Sequence, residues 1–66
     1  MSYYDYKESQ RLNAEDPPFY ALIMAALRKA DSFNADRIRI AFPETYKEFM
    51  ERYNAPGGRL EGDLST

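Results

Sequence analysis

The stretch DPPFYALIMAALRKAD, residues 16–31, decides the fold of this chain. It carries no charge between Asp16 and Arg28, and its residues are apolar around most of a helical circumference. An aspartate before two prolines predicts a helix start, because proline at the first helical position loses no hydrogen bond and aspartate caps the free N–H groups. Arg28 and Lys29 suit the other end, where the helix dipole favours positive charge. We therefore predict a central helix that is capped by Asp16 and covered by other surfaces.

Large and small apolar side chains occupy different sides of this central helix. At 100° per residue, one broad face carries Phe19, Tyr20, Ile23, Met24 and Leu27. Ala21 and Ala25 lie on the opposite side, where they predict a smooth strip that another backbone can approach closely. A chain of 66 residues has few side chains to spare for a core. We expect its own helices to cover one face, and a second copy or a foreign protein to cover part of the rest.

Two flanking segments carry clear helix signals. Ser2 and Asp5 form a capping-box pattern ahead of a helix over about 3–13, which is poor in apolar residues and must lean on the body of the protein or fray. Pro43 predicts the start of an amphipathic helix, because aromatic and methionine side chains follow it at i, i+3, i+4 and i+7 spacing. The sequence NAPGG from Asn54 onward predicts the end of that helix.

The segment between the central and last helices allows two interpretations. Asn34 predicts the N-cap of a short helix over 35–41, whereas the alternation in RIRIAF is typical of a strand over 37–42. A single strand would have no partner here, so we predict a helix. The expected fold is all-α, with three or four short helices packed around an apolar central helix in an oligomer. Residues 1–58 would form one small domain, and residues 59–66, which lack periodicity, a flexible tail.

Composition excludes several classes of function. The chain has no cysteine and no histidine, which removes disulfides, thiolate and histidine metal sites, and the usual nucleophilic triads. A net charge of −2 gives no basic face for nucleic acid. The longest apolar run, 19–27, is far shorter than the roughly 20 residues that span a bilayer, and no signal-peptide pattern begins the chain. We expect a soluble cytoplasmic protein that is not an enzyme and holds no cofactor or metal.

Two groups of side chains suggest binding to other molecules. Tyrosine is enriched where proteins meet partners, and three of the six tyrosines cluster near the N-terminus. Lysine and arginine cluster after the central helix, where they suit a phosphate or an acidic protein surface. Each group also has a simpler interpretation. The tyrosines would line a small core whose edges are exposed to water, and the cations would form an ordinary solvent-exposed surface. The predicted partner-binding residues are Tyr3, Tyr4, Tyr6, Ala21, Ala25, Arg28, Lys29, Arg37 and Arg39.

The motifs DPPFYALIMAALRKAD, AFPETYKEF and RYNAPGG together resemble short uncharacterised proteins encoded by bacteriophages and prophages. The likeness covers most of residues 16–58. It implies expression in a bacterial cytoplasm from a genome with many small accessory genes, whose products often bind and inhibit a host or defence protein. The expected function is therefore that of a self-associating, anti-defence or host-modulating inhibitor. The alternatives are a sponge that holds a signalling nucleotide with Arg28, Lys29 or Arg37, and a small DNA-binding regulator.

Overall fold

A computed structural model of the chain describes residues 1–63. These residues form four α-helices and a short 3₁₀ turn: α1 (Tyr3–Ala14), α2 (Phe19–Lys29), α3 (Ser32–Ala41), α4 (Pro43–Tyr53) and the turn Pro56–Gly58. The prediction of an all-α fold is confirmed for the described part of the chain. Residues 37–41 are helical, so the strand alternative for 37–42 is wrong.

The predicted N-cap of α1 and the predicted start and end of α4 are confirmed. The Ser2 hydroxyl accepts the backbone N–H of Asp5 at 3.2 Å and donates to the Asp5 carboxylate, which completes a local cap. Pro43 is the first residue of α4, where its missing N–H costs nothing, and Asn54 is the C-cap. The positive φ of 63° at Gly57 lets the chain turn away after α4.

The predicted cap of α2 is wrong, because Asp16 ends α1 instead of starting α2. The N-cap of α2 is Pro18, which has an extended backbone and no side-chain hydrogen bond. Asp16 has a φ of +54°, and its N–H donates to the Asn13 carbonyl at 2.9 Å, as at the end of a helix. Pro18 disfavours helical angles at Pro17, so the helix cannot begin directly after Asp16.

The predicted cap of α3 is also wrong, since the helix begins three residues earlier than Asn34 implies. Asp31 is the N-cap, and its carboxylate accepts the backbone N–H of Asn34 at 2.8 Å. Asn34 thus lies in the first turn, as the donor to the cap. Aspartate and asparagine are equally good caps, and Asp31 prevails because it directly follows the end of α2.

Helices α2 and α4 lie side by side and run in the same direction. Tyr20, near the start of α2, shares a groove with Glu44, near the start of α4. Arg28, near the end of α2, shares a groove with Tyr53, at the end of α4. The short α3 connects them by running back, and this return brings the Phe42 and Phe19 rings to a centroid distance of 6.0 Å.

The core between these helices is small. Among residues 1–63, Leu27 on α2 and Phe49 on α4 are the only buried side chains, each 8% exposed. Phe19, which belongs to the same predicted face as Leu27, is 57% exposed. The helices of one chain therefore cover only part of the apolar surface of α2.

Helix α1 stands apart from the other helices. In the described part of the chain it packs against no other element. Of the two predicted outcomes, packing on the body of the protein is therefore wrong, and fraying stays a prediction. Because α1 stands apart, the molecule is elongated, measuring 41 × 28 × 19 Å with a Cα radius of gyration of 13.7 Å. A compact domain of this length has a radius of about 11 Å.

Candidate interaction surfaces

Large apolar side chains lie on the surface of all four helices. Those exposed are Met1, Tyr3, Tyr4, Tyr6, Leu12, Phe19, Tyr20, Phe33, Ile40, Met50 and Tyr53. Single exposed apolar residues are ordinary on soluble proteins, but extended apolar surface marks places where other molecules bind. Three surfaces of the described residues combine apolar side chains with candidate polar groups or with small residues, and they include Phe33, Ile40 and Tyr53 of this set.

The first surface, which we call the α3 stripe, consists of Phe33, Arg37 and Ile40. These residues follow each other on one side of α3 at i, i+4 and i+7 spacing, and Phe33 and Ile40 are 63% and 72% exposed. The Arg37 guanidinium carbon lies 4.0 Å above the centre of the Phe33 ring. The opposite side of α3 carries the half-buried Ala35 and Ile38. The α3 stripe therefore faces away from the body of the protein.

The second surface, the α2 outer face, consists of Ala21, Leu22, Ala25 and Ala26. The three alanines are exposed and Leu22 is half-buried. Ala21 and Ala25 were predicted to bind a partner, and the structure leaves both accessible. This face lies away from Leu27, whose side chain packs in the core.

The third surface is the α2–α4 groove, an open cleft of about 540 Å³ that ends at the 3₁₀ turn. Its walls include Met24, Arg28, Phe49, Arg52 and Tyr53. The Arg28 guanidinium carbon lies 5.4 Å from the Phe49 ring centre and 5.9 Å from that of Tyr53. Arg28 therefore holds α2 against α4 through cation–π contacts, a structural role that the sequence did not indicate.

Arg52 forms a clasp that binds the residues after α4 to the helix itself. It donates to both carboxylate oxygens of Asp63, at 2.6 and 3.0 Å, to Glu48 at 3.0 Å and to the Gly58 carbonyl at 2.9 Å. Asp63 also accepts the Leu60 N–H at 2.9 Å. The Glu48–Arg52 pair follows from the sequence as an i, i+4 spacing. The Asp63 contact, eleven residues away, carries no such signal.

The clasp shifts the ionisation of its members and bears on the predicted tail. Hydrogen bonds from Arg52, followed by the one from Leu60, lower the pKa of Asp63 from 3.8 to about 2. The same contacts with Asp63 and Glu48 raise the pKa of Arg52 further above its usual range. Residues 59–63 of the predicted tail are thus tied back to α4, whereas residues 64–66 lie outside the described part. The flexibility of 59–66 stays a prediction.

The other predicted cations have separate surroundings. Arg37 stacks on Phe33 within the α3 stripe, and Arg39 forms an exposed ion pair with Asp36 at 3.7 Å. Lys29 is exposed at the end of α2. These side chains therefore contact different neighbours instead of lining one shared phosphate pocket.

The predicted tyrosines Tyr3, Tyr4 and Tyr6 are all exposed on α1. The isolated helix is supported mainly by contacts along its own surface. Arg11 bridges Glu8 at 3.1 Å and Glu15 at 3.2 Å. These tyrosines are accessible to a partner, but no other described element of the chain joins them in a common site.

Two features are absent from the described residues. They contain no group of three or more acidic side chains arranged to hold a metal ion. None of their helices has both the length and the apolar character that a bilayer span requires.

No protein-family model, no curated protein and no solved structure shows significant similarity to this chain.

Proposed function

We propose that this chain is a non-enzymatic binding protein that docks on a host or defence protein in the bacterial cytoplasm and inhibits it. The observation that supports this proposal is the α3 stripe. Phe33 and Ile40 project from one side of a helix whose other side packs against the body of the protein. Apolar anchors at i and i+7 spacing are the pattern by which a helix binds in a groove of another protein.

The chemistry of the stripe indicates what kind of partner it fits. Aromatic and arginine side chains dominate the energetics of protein interfaces, and Phe33 and Arg37 are already stacked on each other. This contact reduces the side-chain freedom that binding would otherwise remove. The partner would offer an apolar cleft for Phe33 and Ile40, with a carboxylate at its edge for Arg37. The resemblance to bacteriophage proteins supports a host or defence protein as this partner.

Self-association through α2 is the second part of the proposal. The chain's own helices leave the α2 outer face accessible, and Phe19 beside it is 57% exposed. A second copy would remove this surface from water without competing for the α3 stripe.

The nucleotide and DNA alternatives receive less support. The α2–α4 groove has a volume typical of small-molecule sites, but two carboxylates already neutralise its Arg52, and its Arg28 lies against two rings. The net charge of −2 argues against attraction to DNA phosphates.

Capture from host cells with a matched pair of variants tests the role of the stripe. The tagged protein is used to isolate a host protein, and the affinity of the purified pair is then measured by calorimetry. Phe33→Ala with Ile40→Ala is expected to weaken binding at least about 30-fold, since anchor residues each contribute roughly 1–2 kcal/mol.

The control removes two exposed side chains of α1 that are not predicted to bind a partner, by Gln10→Ala with Leu12→Ala. Both double variants must retain the helical circular dichroism of the parent. If the α1 pair abolishes binding and the α3 pair leaves it unchanged, the α3 stripe is not the binding surface.

A further inference from the structure

The chain exposes more surface than a monomer of its mass normally does. Its accessible area is 5848 Å², whereas a folded monomer of 7.7 kDa exposes about 4,300 Å². The excess is more than about 1,000 Å², and a stable protein interface buries about 800 Å² on each partner. The detached helix α1 contributes to this excess. The excess is large enough for one interface of ordinary size, but it does not indicate where on the chain that interface lies.

The side of α2 turned away from the core suits such an interface because it is continuous and uncharged. No charged residue occurs between Asp16 and Arg28, so the α2 outer face is apolar along its length. It includes the half-buried Leu22 and is extended by Phe19, which is 57% exposed. The exposed Lys29 continues the same side by one turn beyond Ala26.

The charges at the two ends of α2 have opposite sign. Glu15 and Asp16 precede the helix, and Arg28 and Lys29 close it. Within the chain Glu15 also pairs with Arg11 at 3.2 Å and Arg28 lies against two rings, whereas Lys29 is exposed. The helix rises about 15 Å from Phe19 to Lys29, so within one chain these groups are farther apart than the screening length of about 8–10 Å. A second copy in the antiparallel direction brings each basic end beside an acidic end. A parallel copy would bring like charges together.

We propose that two copies of this chain pair through their α2 outer faces in an antiparallel, two-fold arrangement that places Glu15 of each copy beside Lys29 of the other. This arrangement rests on the proposed self-association and gives it a direction and a pair of contacts. A two-fold interface uses the same patch on both copies, and a helix that is preceded by carboxylates and closed by cations is complementary to itself in the antiparallel direction. Glu15 is also the C-cap of α1, so the contact gives the isolated helix α1 a neighbour.

A charge exchange tests the arrangement in the full-length protein. The dissociation constant of the dimer is measured by sedimentation velocity for the parent, Glu15→Lys, Lys29→Glu and the variant that carries both changes. Each single change turns two attractive contacts per dimer into two repulsive ones, which is expected to raise the dissociation constant about tenfold. The combined variant restores opposite charges and is expected to return within about threefold of the parent.

Two further variants separate the proposed interface from other effects. Glu8→Lys also removes an ion pair with Arg11, but it lies a further two turns back in α1 and is expected to leave the dimer intact. Ala25→Glu places a charge in the middle of the α2 outer face, where the exposed position is tolerated in the folded monomer, and is expected to abolish the dimer. Circular dichroism verifies that each variant retains its helices.

The outcomes distinguish the two levels of the proposal. A parent protein that stays monomeric at millimolar concentration contradicts self-association itself. If the parent dimerises and neither the single charge changes nor Ala25→Glu weakens the dimer, the antiparallel α2 pairing is overturned. Self-association itself is then still supported. Two weakened single variants without recovery in the combined variant overturn the Glu15–Lys29 contact.

Discussion

Two aspartates at helix boundaries take opposite roles because of the residues that follow them. Asp31 is followed by residues with free N–H groups, and its carboxylate caps α3 through Asn34. Asp16 is followed by Pro17 and Pro18, which have no N–H to donate, and it adopts the left-handed angles that end α1. Because Pro18 also keeps Pro17 out of helical angles, the capping preference of aspartate is realised only where the residues that follow it can enter the helix.

The cap of α3 can be tested by comparing two alanine substitutions. Asp31→Ala removes the acceptor for the Asn34 N–H and is expected to lower the unfolding free energy by about 1 kcal/mol. Asn34→Ala keeps the N–H that donates and places a better helix former in the first turn, so a change within about 0.5 kcal/mol is expected. Urea unfolding measures both. If Asn34→Ala lowered the unfolding free energy more than Asp31→Ala does, Asn34 and not Asp31 would be the functional cap.

The clasp between Arg52 and Asp63 is expected to open in acid. Because folding lowers the pKa of Asp63 from 3.8 to about 2, the clasp contributes its full stability above pH about 4 and loses it as the pH falls toward 2. NMR titration of the Asp63 carboxyl carbon should give a midpoint near the lower value, and the Leu60 amide should exchange faster as the clasp opens.

The matched variants for the clasp are Asp63→Asn and Glu61→Gln. Asp63→Asn is expected to speed exchange of the Leu60 amide at neutral pH, because the ion pair and its acceptor charge are lost. Glu61 is exposed in the same segment, and its neutralisation should change nothing. Equal effects of both variants would show that general charge, and not the clasp, holds residues 59–63.

At the scale of the helices, α1 and α2 show that local signals and packing contribute separately to stability. Helix α1 has a side-chain cap and paired charges but no tertiary contact. Helix α2 has no side-chain cap but holds Leu27 in the core. An isolated helix of 12 residues is marginal in water. We therefore expect α1 to open independently of the helices that share the core.

The same substitution on both helices measures this difference. Leu27 is 8% exposed and Leu12 is 42% exposed. Leu27→Ala is expected to cost at least about 2 kcal/mol of unfolding free energy, because it leaves a cavity between α2 and α4. Leu12→Ala should cost no more than about 0.5 kcal/mol. Thermal unfolding under dilute conditions gives both values. Similar losses at the two positions would mean that α1 packs on the rest of its own chain.

At the scale of the whole molecule, the detached α1 makes the chain elongated. X-ray scattering from a dilute solution is expected to give a radius of gyration near the 13.7 Å of the Cα atoms, not the roughly 11 Å of a compact domain of this length. A variant lacking residues 1–15 should approach the dimensions of a compact fragment. A radius near 11 Å for the full chain would show that α1 folds back on the other helices.

The sequence by itself determined those features that depend on interactions between residues a few positions apart. The cap at Ser2, the start at Pro43, the end at Asn54 and the Glu48–Arg52 pair all follow from spacings of at most four residues, and the structure has all of them. The all-α fold follows from the apolar periodicity. The cap at Asp31 is also local, but the sequence analysis placed it at Asn34, a residue with the same capping preference.

Contacts between residues distant in sequence were decided by the tertiary structure alone. Periodicity predicted which side of α2 is apolar, but only packing shows that Leu27 is buried while Phe19 stays exposed. Packing also placed Arg28 on the rings of α4 and Asp63 on Arg52. The physical reason is that such contacts depend on how whole helices are placed in space, and that placement reflects the sum of many weak interactions that no single spacing records.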